Sequence, residues 1–312
     1  MTPGEGDAKM PSKTSEADDV NNNLQPQIRV TLLGTGAPTP VMERFGPATL
    51  VQAGSEVLLF DAGRGVLQRL FQLQPPIKEV RNLFLTHLHS DHVVGLPDLW
   101  LTGWLNGRPE TPLRVRGPRG TKEMMTHLDQ AFQFDIRIRL YDDRVPPEGV
   151  VVIAEDITEG IIYQNNGVTV TAFEVDHLPI QPAFGYRIDF ARRSVVLSGD
   201  TRVSERLIAA AQGADLVIHE VIAAGLMRAR PGANKEYLER VIAHHTSAEE
   251  AGRVLSKIQP RMAVFSHVIP VTARAADVLP EVRKEYGGPF EVGDDRMVIN
   301  VGEQIVVERP SA

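Results

Sequence analysis

Apolar residues along this chain fall into short runs of strand length, separated by polar turns and by stretches of helical spacing. Ile28–Leu33, Thr49–Ala53 and Val57–Asp61 predict strands. Gly65 to Leu73 predicts a helix, Leu83–Thr86 a strand, and Gly95 to Leu105 a helix. Leu113–Arg116 then predicts a strand and Gly120 to Phe132 a helix. In the second half, strands are predicted at Val168–Val175, Phe184–Asp189, Ser194–Ser198, Leu216–His219 and Ala263–Ser266. Helices are predicted at Ser204–Gln212, Ser247–Gln259 and Ala273–Tyr286. Blocks of strands with interleaved helices predict two sheets covered on the outside by helices.

Met1 to Gln27 breaks the pattern. It is polar, rich in Asp, Asn, Ser, Pro and Gly, and has no apolar core of a secretory signal, so it reads as a disordered tail. Residues 28–312 read as one domain. No apolar run reaches the length of a membrane span, and no repeat of fixed period is visible. The expected compartment is the cytoplasm, or the periplasm if a leader has been removed.

Chemistry gathers at the strand ends. Thr86-His87-Leu88-His89-Ser90-Asp91-His92 follows a short apolar strand and crowds three imidazoles and a carboxylate into one loop. In extended chain, residues two apart point the same way, so His87 and His89 can grip one metal. After the chain turns, Asp91 and His92 face a second. Val175-Asp176-His177, Ser198-Gly199-Asp200-Thr201 and Phe265-Ser266-His267 end three further strands with the same residue types. Singly, each is weak. Asp200 precedes a predicted helix, and Asp61 precedes another near Gly63, so either could be a helix cap.

In order along the chain, Leu33-Gly34-Thr35-Gly36-Ala37-Pro38, Phe60-Asp61-Ala62-Gly63, His87-Leu88-His89-Ser90-Asp91-His92, Phe184-Gly185-Tyr186-Arg187-Ile188, Ser198-Gly199-Asp200-Thr201, Ile218-His219-Glu220, His245-Thr246 and Ser266-His267 resemble the metallo-β-lactamase superfamily. Within it, the chain is similar to the ribonuclease Z and zinc-dependent arylsulfatase branch. The resemblance implies an α/β fold, the αββα sandwich, with two mixed sheets flanked by helices. It also implies a dinuclear centre: His87, His89 and His177 on one zinc, Asp91, His92 and His267 on the other, and Asp200 bridging. Nitrogen and oxygen donors suit zinc, with manganese or iron as competitors; the chain has no cysteine to add a thiolate. Two such cations would share a water and make it hydroxide near neutral pH. Asp91 then belongs to the catalytic set as well as to the ligands. The resemblance offers His245 and Glu220 for proton transfer to the leaving group, and Asp61 as a carboxylate that orients a ligand imidazole. The bland alternative for His245 is a residue entering the capped helix at Ser247. His244 and His127 read as ordinary surface or packing residues, and His219 as core or support.

Substrate is the harder question. Ribonuclease Z enzymes usually carry a projecting arm that holds tRNA, expected here between Arg187 and Leu197, where there is room only for a hairpin. The 33 Lys and Arg against 40 Asp and Glu give a net charge of −7, unlike the basic surface that binds nucleic acid. Trp100 and Trp104, four apart on one helical face, resemble the arylsulfatase branch and could line an aryl pocket, or simply pack in the core. The segment from Asp135 to Gln164, with Arg137, Arg139 and Arg144 among many acids, reads as an edge hairpin rather than a lid, a dimer contact or a nucleic-acid clamp. The expectation is therefore a homodimeric hydrolase of small sulfate or phosphate esters, with nucleic acid disfavoured but not excluded as a partner and no membrane among its partners. The alternatives are a ribonuclease Z-like tRNA 3′ endonuclease, a cyclic-nucleotide phosphodiesterase, a lactonase or β-lactamase, and a non-catalytic metal-binding sensor.

Overall fold

The computed structural model describes residues 27–73 and 77–310. The tail expected over Met1 to Gln27 lies, apart from Gln27, outside the described residues. Two sheets stack face to face. The first contains β1 (Ile28–Gly34), β2 (Ala48–Ala53), β3 (Glu56–Phe60), β4 (Asn82–Phe84), β5 (Leu113–Gly117), β6 (Val152–Asp156), β14 (Val298–Val301) and β15 (Ile305–Glu308), in the order β15-β14-β1-β2-β3-β4-β5-β6. The second contains β7 (Gly160–Asn165), β8 (Val168–Glu174), β9 (Phe184–Phe190), β10 (Arg193–Leu197), β11 (Leu216–Ile222), β12 (Met262–Ile269) and β13 (Phe290–Val292), in the order β13-β12-β11-β10-β9-β8-β7. Both sheets are mixed, as the resemblance implied: β1, β2 and β3 pair antiparallel, then β3 to β6 run parallel.

Three apolar layers hold this together. Val30, Leu58, Phe84, Tyr186, Val195 and Val264 belong to the cluster that joins the two sheets. Helices α1 (Val66–Leu73), α3 (Leu96–Asn106) and α4 (Thr121–Tyr141) cover the outside of the first sheet. Helices α5 (Glu205–Ala210), α8 (Ala248–Ile258) and α9 (Ala275–Glu285) cover the second. A single turn, α2 (Ser90–Val93), and two short helices, α6 (Ala224–Arg228) and α7 (Lys235–Ile242), stand apart from these layers. Each buried Leu, Ile or Phe contributes roughly 1.5–3 kcal/mol, so the paired sheets form a stiff frame for whatever their ends carry. Among the described residues no helix is long and apolar enough to cross a membrane.

Two expectations about elements are corrected. The helix expected to stop at Phe132 runs on to Tyr141. Its last turns bury little beyond Ile136, so they show no apolar period, and ion pairs of Arg139 with Asp135 and Asp143 support them. The expected hairpin between Asp135 and Gln164 does not exist. The helix end is followed by β6 and β7, edge strands of different sheets. Their side chains are mostly half-exposed or exposed, which is why neither reads as a buried strand. The turn between β9 and β10 is tight, through Ala191 and Arg192 at positive φ, and holds no arm, as expected.

Candidate metal centre and cleft

The site is assembled from strand ends. Leaving β4, Thr86 ties three side chains together. Its backbone N–H donates to Asp61 Oδ1 at 2.8 Å, its hydroxyl donates to Asp61 Oδ2 at 2.9 Å, and its oxygen accepts from His87 Nδ1 at 3.0 Å. Asp61 Oδ2 also accepts from His92 Nδ1 at 2.8 Å. Both rings are therefore fixed with Nε2 pointing the other way, which is how an outer carboxylate or hydroxyl sets the ligand atom of a histidine. From the second sheet, His177 follows β8 and donates from Nδ1 to the His244 carbonyl at 3.0 Å. Asp200 follows β10 through Gly199 at φ +60°, where a Cβ would sit 2.6 Å from the Phe184 carbonyl oxygen, so only glycine makes this corner. His267 is the extra residue of a bulge in β12. Ser266 pairs with Glu220 and Val268 with Val221, and His267, at φ +45°, is unpaired and aimed out of the ladder.

The structure brings the seven candidate side chains together. One group is His87, His89, His177 and Asp200; the other is Asp91, His92 and His267. His89 Nδ1 lies 2.9 Å from His87 Nε2 and 3.4 Å from His177 Nε2. Asp200 Oδ2 lies 3.7 Å from His87 Nε2 and 3.1 Å from His267 Nε2, while its Oδ1 lies 3.4 Å from His92 Nε2. Asp91 Oδ2 is 3.5 Å from His267 Nε2. Ligands held at about 2.0–2.1 Å around a tetrahedral zinc would be spaced by roughly 3.3 Å. The Asp200 carboxylate faces ring nitrogens of both groups.

Electrostatics support a cation here. Asp91 Oδ2, His92 Nε2, Asp200 Oδ1 and His267 Nε2 are buried without a hydrogen-bond partner. Each such atom costs about 1–3 kcal/mol, more when charged, against a net stability of about 5–15 kcal/mol for a whole protein. Packing alone does not explain four of them pointing at one spot; a pair of cations does. Burial opposes charge on Asp200, yet the imidazoles of His267 and His92 hold its carboxyl well below the usual range. Burial likewise opposes charge on His267, but Asp200 and Asp91 push it up to about 10, so a proton fills the place that a bound cation would take and must leave when one binds. His87, buried and beside His92, is held well below the usual range, so its ring stays neutral with a lone pair available.

One side of the centre opens into a cleft of about 470 Å³ that reaches from His89, Asp91 and Asp200 past His245 to α6 and α7. His245 Nδ1 donates to Glu220 Oε1 at 3.1 Å, which leaves Nε2 for the cleft. Burial lowers the His245 pKa, but Glu220 outweighs it and the net shift is upward. His245 does not cap the following helix; Ser247 does, in a reciprocal pair with Glu250. Asp200 is not a cap either, since α5 is capped by Ser204, and Asp61 spends its oxygens on Thr86 and His92.

Other placements differ from the sequence reading. Glu220 is buried behind His245 and also accepts the backbone N–H groups of Thr201 and Thr246, at 3.1 and 3.0 Å. It does not line the cleft and meets it only through His245. Trp100 and Trp104 do not line the cleft. Their shared helical face is turned inward, both are buried, and their indole N–H groups donate to the carbonyls of Val150 and Pro146 at 2.8 Å. His244 is more than packing, because its carbonyl fixes the ring of His177. His219 is core, donating to the Glu220 carbonyl, and His127 is exposed beside Glu123. Sequence reasoning missed Thr86, the His244 carbonyl and the α6–α7 wall. Only Thr86, inside the motif itself, carried a signal.

Residues 57–268 match the family model described as Beta-lactamase superfamily domain. A protein named Ribonuclease Z from Mycolicibacterium gilvum is 36% identical over 86% of this chain and 94% of its own length. Another so named, from Mycobacterium sp. (strain KMS), is 37% identical over 90% of this chain and 99% of its own. The chain belongs to the metallo-β-lactamase superfamily, in its ribonuclease Z branch. Among solved structures, the metallo-β-lactamase fold protein YhfI from Bacillus subtilis superposes with a TM-score of 0.65 at 19% identity, covering 87% of this chain and 98% of that one. The short form of human tRNase Z gives 0.65 at 22%, covering 88% and 99%. At these identities both speak for the metallo-β-lactamase fold alone. The relatives overturn two expectations: the small sulfate or phosphate ester as substrate, with its arylsulfatase and phosphodiesterase labels, and the ranking of nucleic acid behind a small molecule as partner. Whole-chain net charge and a missing arm describe the surface at large, whereas the ribonuclease Z relatives are similar along nearly the full length.

Proposed function

We propose that this metallo-β-lactamase-fold hydrolase is an endoribonuclease of the ribonuclease Z type, cutting a phosphodiester bond at the 3′ end of tRNA precursors. The similarity to proteins named Ribonuclease Z, at 36–37% identity over 86–90% of the chain, carries this reading. The site chemistry agrees with it. In this reading His87, His89 and His177 hold one cation, Asp91, His92 and His267 the other, and Asp200 both. Zinc suits these donors, and manganese or iron could replace it. Bound there, two such cations would polarise the phosphoryl oxygens and lower the pKa of a shared water.

The chain's own residues do the rest. Asp61 and Thr86 keep His87 and His92 presenting Nε2. His245, raised above its ordinary pKa by Glu220, carries the proton that the leaving oxygen needs, delivered from Nε2 in the cleft. Glu220 holds that ring by Nδ1 and balances its charge. Net charge of −7 does not stand against RNA, because the field at the cleft is set locally, by Arg230 in its lining and by any cations held at the centre.

Incubation of metal-loaded protein with a precursor tRNA carrying a 3′ trailer, beside a chelated control, tests the proposal. Chelator-sensitive cleavage at a single position at the trailer is expected. Turnover of bis(p-nitrophenyl) phosphate with the precursor left intact would overturn the RNA reading.

A further inference from the structure

The wall of the cleft opposite the ligands comes from α6, α7 and the turn between them. Ile222, Met227, Leu238, Ile242, Ile269 and Val271 form a small apolar cluster that pins this segment to the ends of β11 and β12. The wall is thus fixed in place beside the metal ligands. Past it lies a second hollow of about 330 Å³, and the two spaces share Thr39, Met227, Arg230, Pro270 and Val271. Arg230 therefore stands on the boundary between two adjoining spaces, each large enough for a small-molecule-sized unit.

Charge and exposure single out two residues. The guanidinium of Arg240 is met by Glu236 at 3.1 Å. Arg230 has no ion pair and no side-chain hydrogen bond among the described residues, so a cation is left free where the two spaces meet. Tyr237 lines the first space and is 58% exposed, an aromatic face on the lip of a cleft. A free guanidinium between two hollows, with an aromatic ring beside one, matches successive nucleotides: a phosphate at the guanidinium and a base on the ring.

We propose that Arg230 and Tyr237 form a nucleotide subsite next to the scissile phosphate, Arg230 gripping a neighbouring phosphate and Tyr237 stacking a base. This rests on the endoribonuclease reading and adds residues that select RNA over simpler diesters. The test compares kcat/KM for precursor tRNA with that for bis(p-nitrophenyl) phosphate, which has no neighbouring nucleotide, in wild type, Arg230→Gln, Tyr237→Ala and Tyr237→Phe. The preference for RNA is expected to fall about tenfold in Arg230→Gln and in Tyr237→Ala, chiefly through KM, and to survive in Tyr237→Phe, which keeps the ring. For Arg230→Gln the slope of log KM against log salt should also shrink by about one, the signature of a lost phosphate contact. A purely structural role would not move that slope. RNA cleavage with an unchanged preference and slope, or equal losses on both substrates, would overturn the subsite and leave the endoribonuclease reading standing. RNA left uncut by the wild type would overturn both.

Discussion

The two halves of the molecule repeat one strand plan with different endings. From β1 to β6 the successive pairings are antiparallel, antiparallel, parallel, parallel, parallel, and β8 to β13 repeat that order. In each half the third strand runs out at a positive-φ corner, Asp61 at +59° and Gly199 at +60°, and a carboxylate stands there, Asp61 or Asp200. Asp61 is filled by protein donors: the Thr86 N–H, the Thr86 hydroxyl and the His92 ring. Asp200 faces ring nitrogens of both ligand groups and keeps a buried oxygen without a partner. The same position on the same plan thus serves two purposes. A carboxylate saturated by N–H and O–H groups orients a ligand, and one left unsaturated is available to a cation.

This contrast should show first in Asp200→Ala. If Asp200 is shared by both cations, its loss should cut kcat/KM on the precursor by about 10³-fold or more while circular dichroism stays native. Retained activity would break the comparison. Next comes the pair that only the second half possesses. His245→Ala should cost about 10²–10⁴-fold in kcat. Glu220→Gln should be read from the pH profile: an acid works while protonated, so activity falls as pH rises through the His245 pKa. Without Glu220, burial draws that pKa down, and the alkaline limb should move to lower pH; an unmoved limb would remove His245 from proton transfer. The smallest effect is expected for Asp61→Asn, about 10–100-fold in metal affinity, with activity recovered at excess metal.

The residues that cluster at the centre could be picked out because each combines a local pattern with a chemical one: a short apolar strand, then His or Asp near its end. What Asp61 and Asp200 do there was not legible. Capping, orienting and ligating all use the same residue in the same local sequence, and only distant partners decide, Thr86 and His92 for one and four imidazoles for the other. Trp100 and Trp104 show the same limit. Their spacing does place them on one face, but which way α3 turns that face depends on the loop at Pro146–Val150 that receives their N–H groups. Glu220 lies within β11, every residue of which is buried, so nothing but the resemblance marked it. The far wall of the cleft went unread because α6 spans five residues and α7 eight, both shorter than the window of about 11–18 residues over which a helical period is read. With that wall unseen, net charge and the missing arm weighed too heavily, and the substrate expectation went to small esters.

Metal content of wild type, Asp61→Asn and Asp200→Ala, measured by mass spectrometry after equilibrium dialysis across a range of zinc concentrations, tests the contrast most directly. The account predicts two zinc ions per chain in the wild type, two in Asp61→Asn but only at higher zinc, and at most one in Asp200→Ala at any concentration that leaves it folded. Two ions held by Asp200→Ala as tightly as by the wild type, or equal losses from both variants, would contradict it.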